Sequence, residues 1–194
     1  MGRSQADAAK SKARIVSEAT QQFRKRGIEV TTVADVMLGA GLTHGGFYRH
    51  FKSKEELSVA AIRSVFAEMI RLFDKRMKEA GPDMALQDYA EFYLSKDHVR
   101  LPESGCAVPS LGAEAARNGK IQQAAFADGI EAIIERVALA KSDGLELKGS
   151  RARKEAIRHL ALLVGAVVAA RSVGRDPLSD EILDACRVGQ PNIL

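Results

Sequence analysis

TVADVMLGAGLTHGGFYRHFKSKEEL, residues 32–57, decides how this chain folds. Thr32 is a good helix N-cap, with Asp35 three residues on to answer it. Val33, Val36 and Met37 then fall on one inward face, Gly41 supplies a tight turn, and Leu42 plugs that turn into a core. A second short helix starts at Thr43. A third starts at Ser53, with Glu56 placed to complete a capping box. Two short helices joined by a glycine turn, the second crowded with polar, basic and aromatic side chains, make the pattern of a helix-turn-helix. Such a unit lays its second helix in a DNA major groove and turns that helix's N-terminal residues to the base edges. Here those residues are Thr43, His44, Gly45 and Gly46. Two adjacent glycines weaken a helix by about 1 kcal/mol each relative to alanine. Close approach of the backbone to a large ligand would explain them. Tyr48, His50 and Lys54 can reach phosphate oxygens, and Lys54 lies at a helix N-terminus, where anions are favoured. Phe47 and Phe51 read as core.

Charge is distributed unevenly around this stretch. Residues 1–54 hold ten Lys and Arg against four Asp and Glu, a net +6, while the remainder holds 19 against 21, a net −2. A basic N-terminal quarter on a near-neutral body is the footprint of a nucleic-acid-binding head, although a solvated basic face would look the same. Arg3, Lys10, Lys12 and Arg14 form a basic N-terminal arm that can add phosphate or minor-groove contacts, or hang free. The two cysteines, Cys106 and Cys186, have no metal-ligand spacing. With no signal peptide in view, a reduced, cytoplasmic chain is expected. No metal, cofactor or membrane association is expected, since the longest apolar run, Leu160 to Ala170, falls short of the about 20 residues a bilayer needs. The four histidines are not spaced as metal ligands, and no phosphate loop, nucleophile elbow or catalytic carboxylate pair is recognisable, so an enzyme is not expected.

No segment alternates with period two, and the chain reads as all-α, with about nine helices. Expected spans are 8–26, 32 to the Gly41 turn, a short helix from Thr43, then 53–79, 84–95, 106–118, 120–141, 151–173 and 179–188. Gly81-Pro82-Asp83 breaks the chain between the fourth and fifth, residues 101–105 and 142–150 are loops, and Pro109 is expected to loosen the sixth.

The segment THGGFYRHFKSKEEL, preceded by TTVADVMLGAGL, resembles the TetR family of bacterial transcriptional regulators at Thr43, Gly45, Tyr48, Phe51, Ser53, Lys54 and Glu55. The resemblance spans about 50 residues. It implies an N-terminal DNA-binding domain, residues 1–52, followed by a helical regulatory and dimerisation domain, 53–194. By matching position, Thr32, Tyr48, His50 and Lys54 would hold phosphates of a double-stranded operator, and Thr43 to Gly46 would face its bases. Phosphate contacts position such a protein and base contacts specify the sequence. The implied function is a repressor that binds a palindromic operator as a homodimer and is released by a small-molecule inducer.

The body offers candidates for both remaining tasks. Leu160 to Ala170 is apolar on every side for about three turns, more than a small subunit can bury alone. Leu160, Leu163, Gly165, Val167 and Ala170, with Ile182 on the last helix, are therefore expected at a dimer interface; a central core helix is the alternative. Phe66, Met69, Phe73, Tyr89, Phe92, Tyr93, His98, Phe126 and His159 collect between the helices expected at 53–79 and 120–141, either as ordinary core or around an apolar inducer cavity. Cys106, within SGCAVPSLGAEAAR, is the tenth candidate for that cavity, and is either a small buried residue or the thiol of a redox or electrophile sensor. A helical interaction module whose head does not bind DNA is the remaining alternative.

Overall fold

The computed structural model describes residues 5–117, 119–144 and 149–187, which form eight α-helices and two 3₁₀ turns without a strand. Arg3, Asn118, residues 145–148 of the expected polar loop, and Val188 lie outside the described residues. None of the described helices is long and apolar enough to cross a membrane.

Helix α1, Gln5–Arg26, opens with Asp7 and closes on Arg24, Lys25 and Arg26, charges that complement the helix dipole at each end. Ile15, Ala19 and Phe23, four apart, form its buried stripe. Lys10, Lys12 and Arg14 are residues of this helix, so the described part of the expected N-terminal arm is an ordered rod. Helix α2, Val33–Gly39, has the expected N-terminus. The Thr32 hydroxyl accepts the Asp35 N–H at 3.1 Å while the Asp35 carboxylate accepts the Thr32 N–H at 2.9 Å. Thr32→Ala is expected to cost about 1 kcal/mol of stability, read from a denaturant midpoint; an unchanged midpoint would contradict this account of the cap. Gly41, at φ +64°, makes the turn, and the Arg14 guanidinium donates to the Ala40 carbonyl left open at the end of α2.

The next segment departs from expectation. His44–Arg49 is a six-residue 3₁₀ turn rather than an α-helix. The reason is local: Gly45 and Gly46 supply no helix-favouring side chain, and the Thr43 hydroxyl makes no capping bond. One buried ring, Phe47, anchors it, stacked on Phe51 at 5.9 Å.

Helix α3 spans Lys54–Tyr93 with a break at Gly81, where φ is +83°. Its two arms fold back on each other, because contacts pair residues symmetrically about Gly81: Phe73 with Tyr89, rings 5.7 Å apart, and Arg76 with Asp88 in an ion pair. The break expected at Gly81-Pro82-Asp83 is therefore a helical hairpin. At the start of α3 half of the expected capping box is found. The Ser53 hydroxyl accepts the Glu56 N–H at 3.1 Å, but the Glu56 carboxylate takes the N–H of Lys52, at 2.7 Å, rather than that of Ser53.

A short helix, α4 (Lys96–Arg100), and a 3₁₀ turn (Pro102–Ser104) lead to α5, Ala107–Arg117. Pro109 leaves α5 intact because it sits in the first turn, where its missing N–H would have no partner in the helix. Then follow α6 (Lys120–Gly144), α7 (Ser150–Ser172) and α8 (Pro177–Arg187). The main core is continuous from Ile15, Phe23 and Phe47 through Leu57 and Phe66 to Phe126 and Ile134. A second cluster, including Tyr93, Cys106, Leu163, Val167 and Leu183, joins the outer arm of α3 to α7 and α8.

Candidate nucleic-acid interface

Six of the eight residues expected to meet DNA lie on or beside the 3₁₀ turn, while Thr32 caps α2 and Lys54 opens α3. Thr43, His44, Gly45 and Tyr48 are exposed, Tyr48 by 69%, and Gly46 and His50 are half-buried. The order of the sequence explains this. Phe47 points into the core, and the residues on either side of it therefore point out. Tyr48 packs the edge of its ring against Phe47 at 5.2 Å, which steadies the phenol while leaving it in solvent.

The chain itself does not need glycine at this turn. A Cβ on Gly45 would meet nothing within 4 Å, and one on Gly46 would make only ordinary contacts of 3.7 Å with Met37 and Thr43. Neither residue has a positive φ. Internal packing and backbone conformation therefore give no reason for the pair, and the bare backbone faces outward.

Two expected phosphate ligands are already engaged. Thr32 has given both its hydroxyl and its backbone N–H to Asp35, with the hydroxyl donating at 2.7 Å, so it has no proton left to offer a phosphate. Its role in this structure is the cap, and the Asp35 carboxyl is held below the usual aspartate range by these bonds. Lys54 donates to the Glu29 carbonyl at 3.0 Å, which ties α3 to the α1–α2 loop; an ammonium retains two further donors. In the same way Arg14 serves the end of α2, and Lys12 lies 5.0 Å over the Phe51 ring.

Contacts that no local pattern announced hold this head to the helices behind it. The Glu114 carboxylate, on α5, accepts the N–H groups of Ile28 at 2.9 Å and Glu29 at 2.5 Å. Arg24 donates to the Gly105 carbonyl, and Lys25 pairs with Glu103 at 3.2 Å. Partners about 80 residues apart leave no signature in periodicity or capping.

The ten body residues expected around one cavity separate. Met69, Phe73, Tyr89 and Phe92 line a cleft of about 1090 Å³. It opens between α1 and the α3 hairpin, on the side of α3 facing α1 rather than toward residues 120–141. Phe66 and Phe126 instead pack edge to face at 5.6 Å within the core. His98 is a structural clamp. Its Nε2 accepts the Cys106 N–H at 3.0 Å, so its Nδ1 carries the proton and donates to the Tyr93 carbonyl at 2.8 Å. Burial, with Arg171 and Arg24 nearby, lowers its pKa to about 4. His159 is likewise buried, near Lys141, with a pKa of about 4.

Cys106 is wholly buried, and burial pushes its thiol pKa up. Its sulfur accepts the Val108 N–H at 3.4 Å and lies close to the Tyr93 hydroxyl, without a well-formed hydrogen bond between them. This is the environment of an inert thiol rather than of a reactive thiolate.

The apolar helix 150–172 turns Leu160, Leu163, Val167 and Ala170 into its own subunit's core. Its exposed stripe is Ile157, Ala161, Gly165 and Val168, with Leu178 exposed and Ile182 half-buried on α8. A Cβ on Gly165 would meet nothing within 4 Å.

Comparison with known proteins agrees with this geometry. Residues 15–61 match the model of bacterial regulatory proteins, tetR family. The HTH-type transcriptional repressor DhaR of a Mycobacterium species is 28% identical over 102 residues, 52% of this chain and 50% of that protein. The HTH-type transcriptional regulator TtgR of Pseudomonas putida is 40% identical over 63 residues, 32% of this chain and 30% of its own. The chain thus spans half or less of these relatives. Among solved structures, a TetR transcriptional regulator from Legionella pneumophila superposes with a TM-score of 0.79 at 17% identity, covering 98% of both chains. The reduced form of NemR from E. coli gives 0.78 at 20% identity, covering 92% of this chain and 94% of its own. The match to the model of bacterial regulatory proteins, tetR family, thus lies in the head, residues 15–61, and the fold along the chain is one shared with solved TetR regulators.

Proposed function

We propose that this chain is a DNA-binding transcriptional regulator, a repressor that reads a palindromic operator as a homodimer and releases it when a small molecule binds. The observation that carries the reading is the outward-facing Gly45–Gly46 backbone, which the chain itself does not require, next to the exposed Tyr48. Thr43, His44, Gly45 and Gly46 face the bases; Tyr48, His50 and the remaining donors of Lys54 face phosphates. Residues 1–52 act as the head and 53–194 as the regulatory and dimerisation body.

The exposed stripe on α7 supports the dimer. Ile157, Ala161, Gly165 and Val168 recur every three or four residues, and the small members let a second helix come close. The pairing surface is this stripe with Leu178 and Ile182, and Leu160, Leu163, Val167 and Ala170 support it from behind. Two heads related by a two-fold axis would read half-sites about 34–36 Å apart. The buried, clamped surroundings of Cys106 favour a small-molecule effector over thiol chemistry as the releasing signal.

Fluorescence anisotropy with duplexes from upstream of the protein's own coding region tests this. Two chains are expected per near-palindromic site, with affinity falling roughly a thousandfold between about 50 and about 200 mM salt as phosphate-bound counterions are released. Salt-insensitive binding, no binding to any such duplex, or a monomer by light scattering would overturn the proposal.

A further inference from the structure

We infer that the cleft between α1 and the α3 hairpin is a binding site for an elongated amphipathic anion, with an apolar body and an acidic head group. This deepens the regulator reading, on which its consequence for DNA depends, but the binding itself does not.

Shape comes first. The part of α1 that lines the cleft runs from Ala9 to Arg24 at three- and four-residue steps, one face of the helix roughly 22 Å long. The first arm of α3 lines it from Ser64 to Arg76 and the second from Ala85 to Phe92. At about 1090 Å³ the cleft is as large as cavities that hold small-molecule ligands. Leu72 and Phe92, one on each arm, face it while 51% and 45% exposed, with Phe92 stacked on His98 at 5.0 Å.

Charge selects the occupant. Four cations and two carboxylates line the cleft. Arg71 is held by Glu68 and Arg76 by Asp88. Lys12 and Arg24 remain, and among the described residues no carboxylate is bonded to either. Lys12 rests on an aromatic face, and Arg24 donates to the carbonyls of Thr20 and Gly105. The apolar walls therefore run between two positive charges with no bonded carboxylate, although Glu103, paired with Lys25, offsets part of the charge on Arg24, an arrangement that suits a hydrophobic anion better than a hydrophobic cation.

The occupant would touch the head through α1 and the body through α3 at the same time. The bond from Arg24 to Gly105, which joins the two, closes one end of the cleft. A ligand here has different contacts in any state where α1 moves relative to α3, which is the requirement for shifting such an equilibrium.

The test uses the full-length protein without DNA and two fluorescent probes, anionic 1-anilinonaphthalene-8-sulfonate and its uncharged relative N-phenyl-1-naphthylamine. Saturable binding of one sulfonate per chain, displaced by dodecanoate, is expected. Lys12→Gln should weaken the sulfonate roughly fivefold and leave the uncharged probe unchanged. Ala67→Trp, which fills the cleft from an exposed position on α3, should abolish both, with circular dichroism confirming that the variant is folded. Unsaturable sulfonate binding to the wild type, binding that survives Ala67→Trp, or equal losses of both probes in Lys12→Gln would overturn the inference. Operator binding is measured separately. Its absence alongside saturable probe binding would sink the regulator reading and leave the site standing.

Discussion

Gly45→Leu is expected to abolish operator binding while leaving the fold as stable as the wild type. The ideal Cβ at this position has no neighbour within 4 Å, so the new side chain has nothing in its own subunit to displace. Glycine is a poor helix former, and replacing it in a helical turn costs little or stabilises by up to about 1 kcal/mol. In the complex the same space would be filled by base edges, and a branched side chain there holds the backbone away from the groove. Losing the specific contacts of the turn costs at least about 3 kcal/mol, more than a hundredfold in affinity, and leaves the salt-dependent contacts to phosphate. Anisotropy with operator and with random DNA separates the two contributions. Operator affinity is expected to fall to the level of random DNA while the thermal midpoint holds. Unimpaired operator binding would show that this turn is not the reading element.

The second large effect is acid sensitivity in a range where ordinary carboxylates remain charged. His98 and His159 each have a folded-state pKa of about 4, lowered first by burial and further by Arg171 and Arg24 at His98 and by Lys141 at His159. In the unfolded chain both return to about 6.5. Because the folded pKa is the lower one, protons bind preferentially to the unfolded chain. Stability is therefore full above about pH 6.5, falls as the pH drops toward about 4, and levels off below that. At about pH 5 the loss is about 2 kcal/mol for each histidine. The depressed carboxyls of Asp35, Glu131 and Asp180 act only at lower pH, through and below the usual carboxylate range, and do not confuse this window. Urea midpoints at about pH 7.5 and about pH 5 check the expectation. His159→Leu should remove half of the difference at little cost at neutral pH, because the His159 Nε2 makes no hydrogen bond among the described residues. Equal midpoints at the two pH values would contradict the burial of both rings as neutral imidazoles.

Some of this architecture was legible before folding was considered. The Thr32 cap, the Gly41 turn, the Gly81 break and the inward stripes of α1 and α3 all follow from contacts within a few residues, which spacing along the chain displays directly. The 3₁₀ form of residues 44–49 was not. Helical patterning does not distinguish two hydrogen-bond registers in so short a segment, and the two glycines shift the balance. Candidate residues divided by the same criterion. Gly45 and Tyr48 face outward as read, because Phe47 between them is an unmistakable anchor. Thr32 was offered to phosphates by its position in the family resemblance and Lys54 also by its charge at a helix N-terminus, yet Thr32 is consumed by the Asp35 cap that the sequence also announced, and the Glu29 carbonyl, 25 residues away, takes one donor of Lys54.

By itself the sequence determined the helices, the turn that presents Thr43 to Gly46, and the basic character of the head, since each rests on local propensity, periodicity or composition. Only the tertiary structure decided that His98 is a neutral clamp, that Glu114 holds the α1–α2 loop, that Leu160 and Leu163 face inward while Gly165 faces out, and that the cleft opens toward α1. Those outcomes depend on partners far apart in the chain. A side chain's type says what it can bind, and only the packed neighbours determine what is left for it to bind.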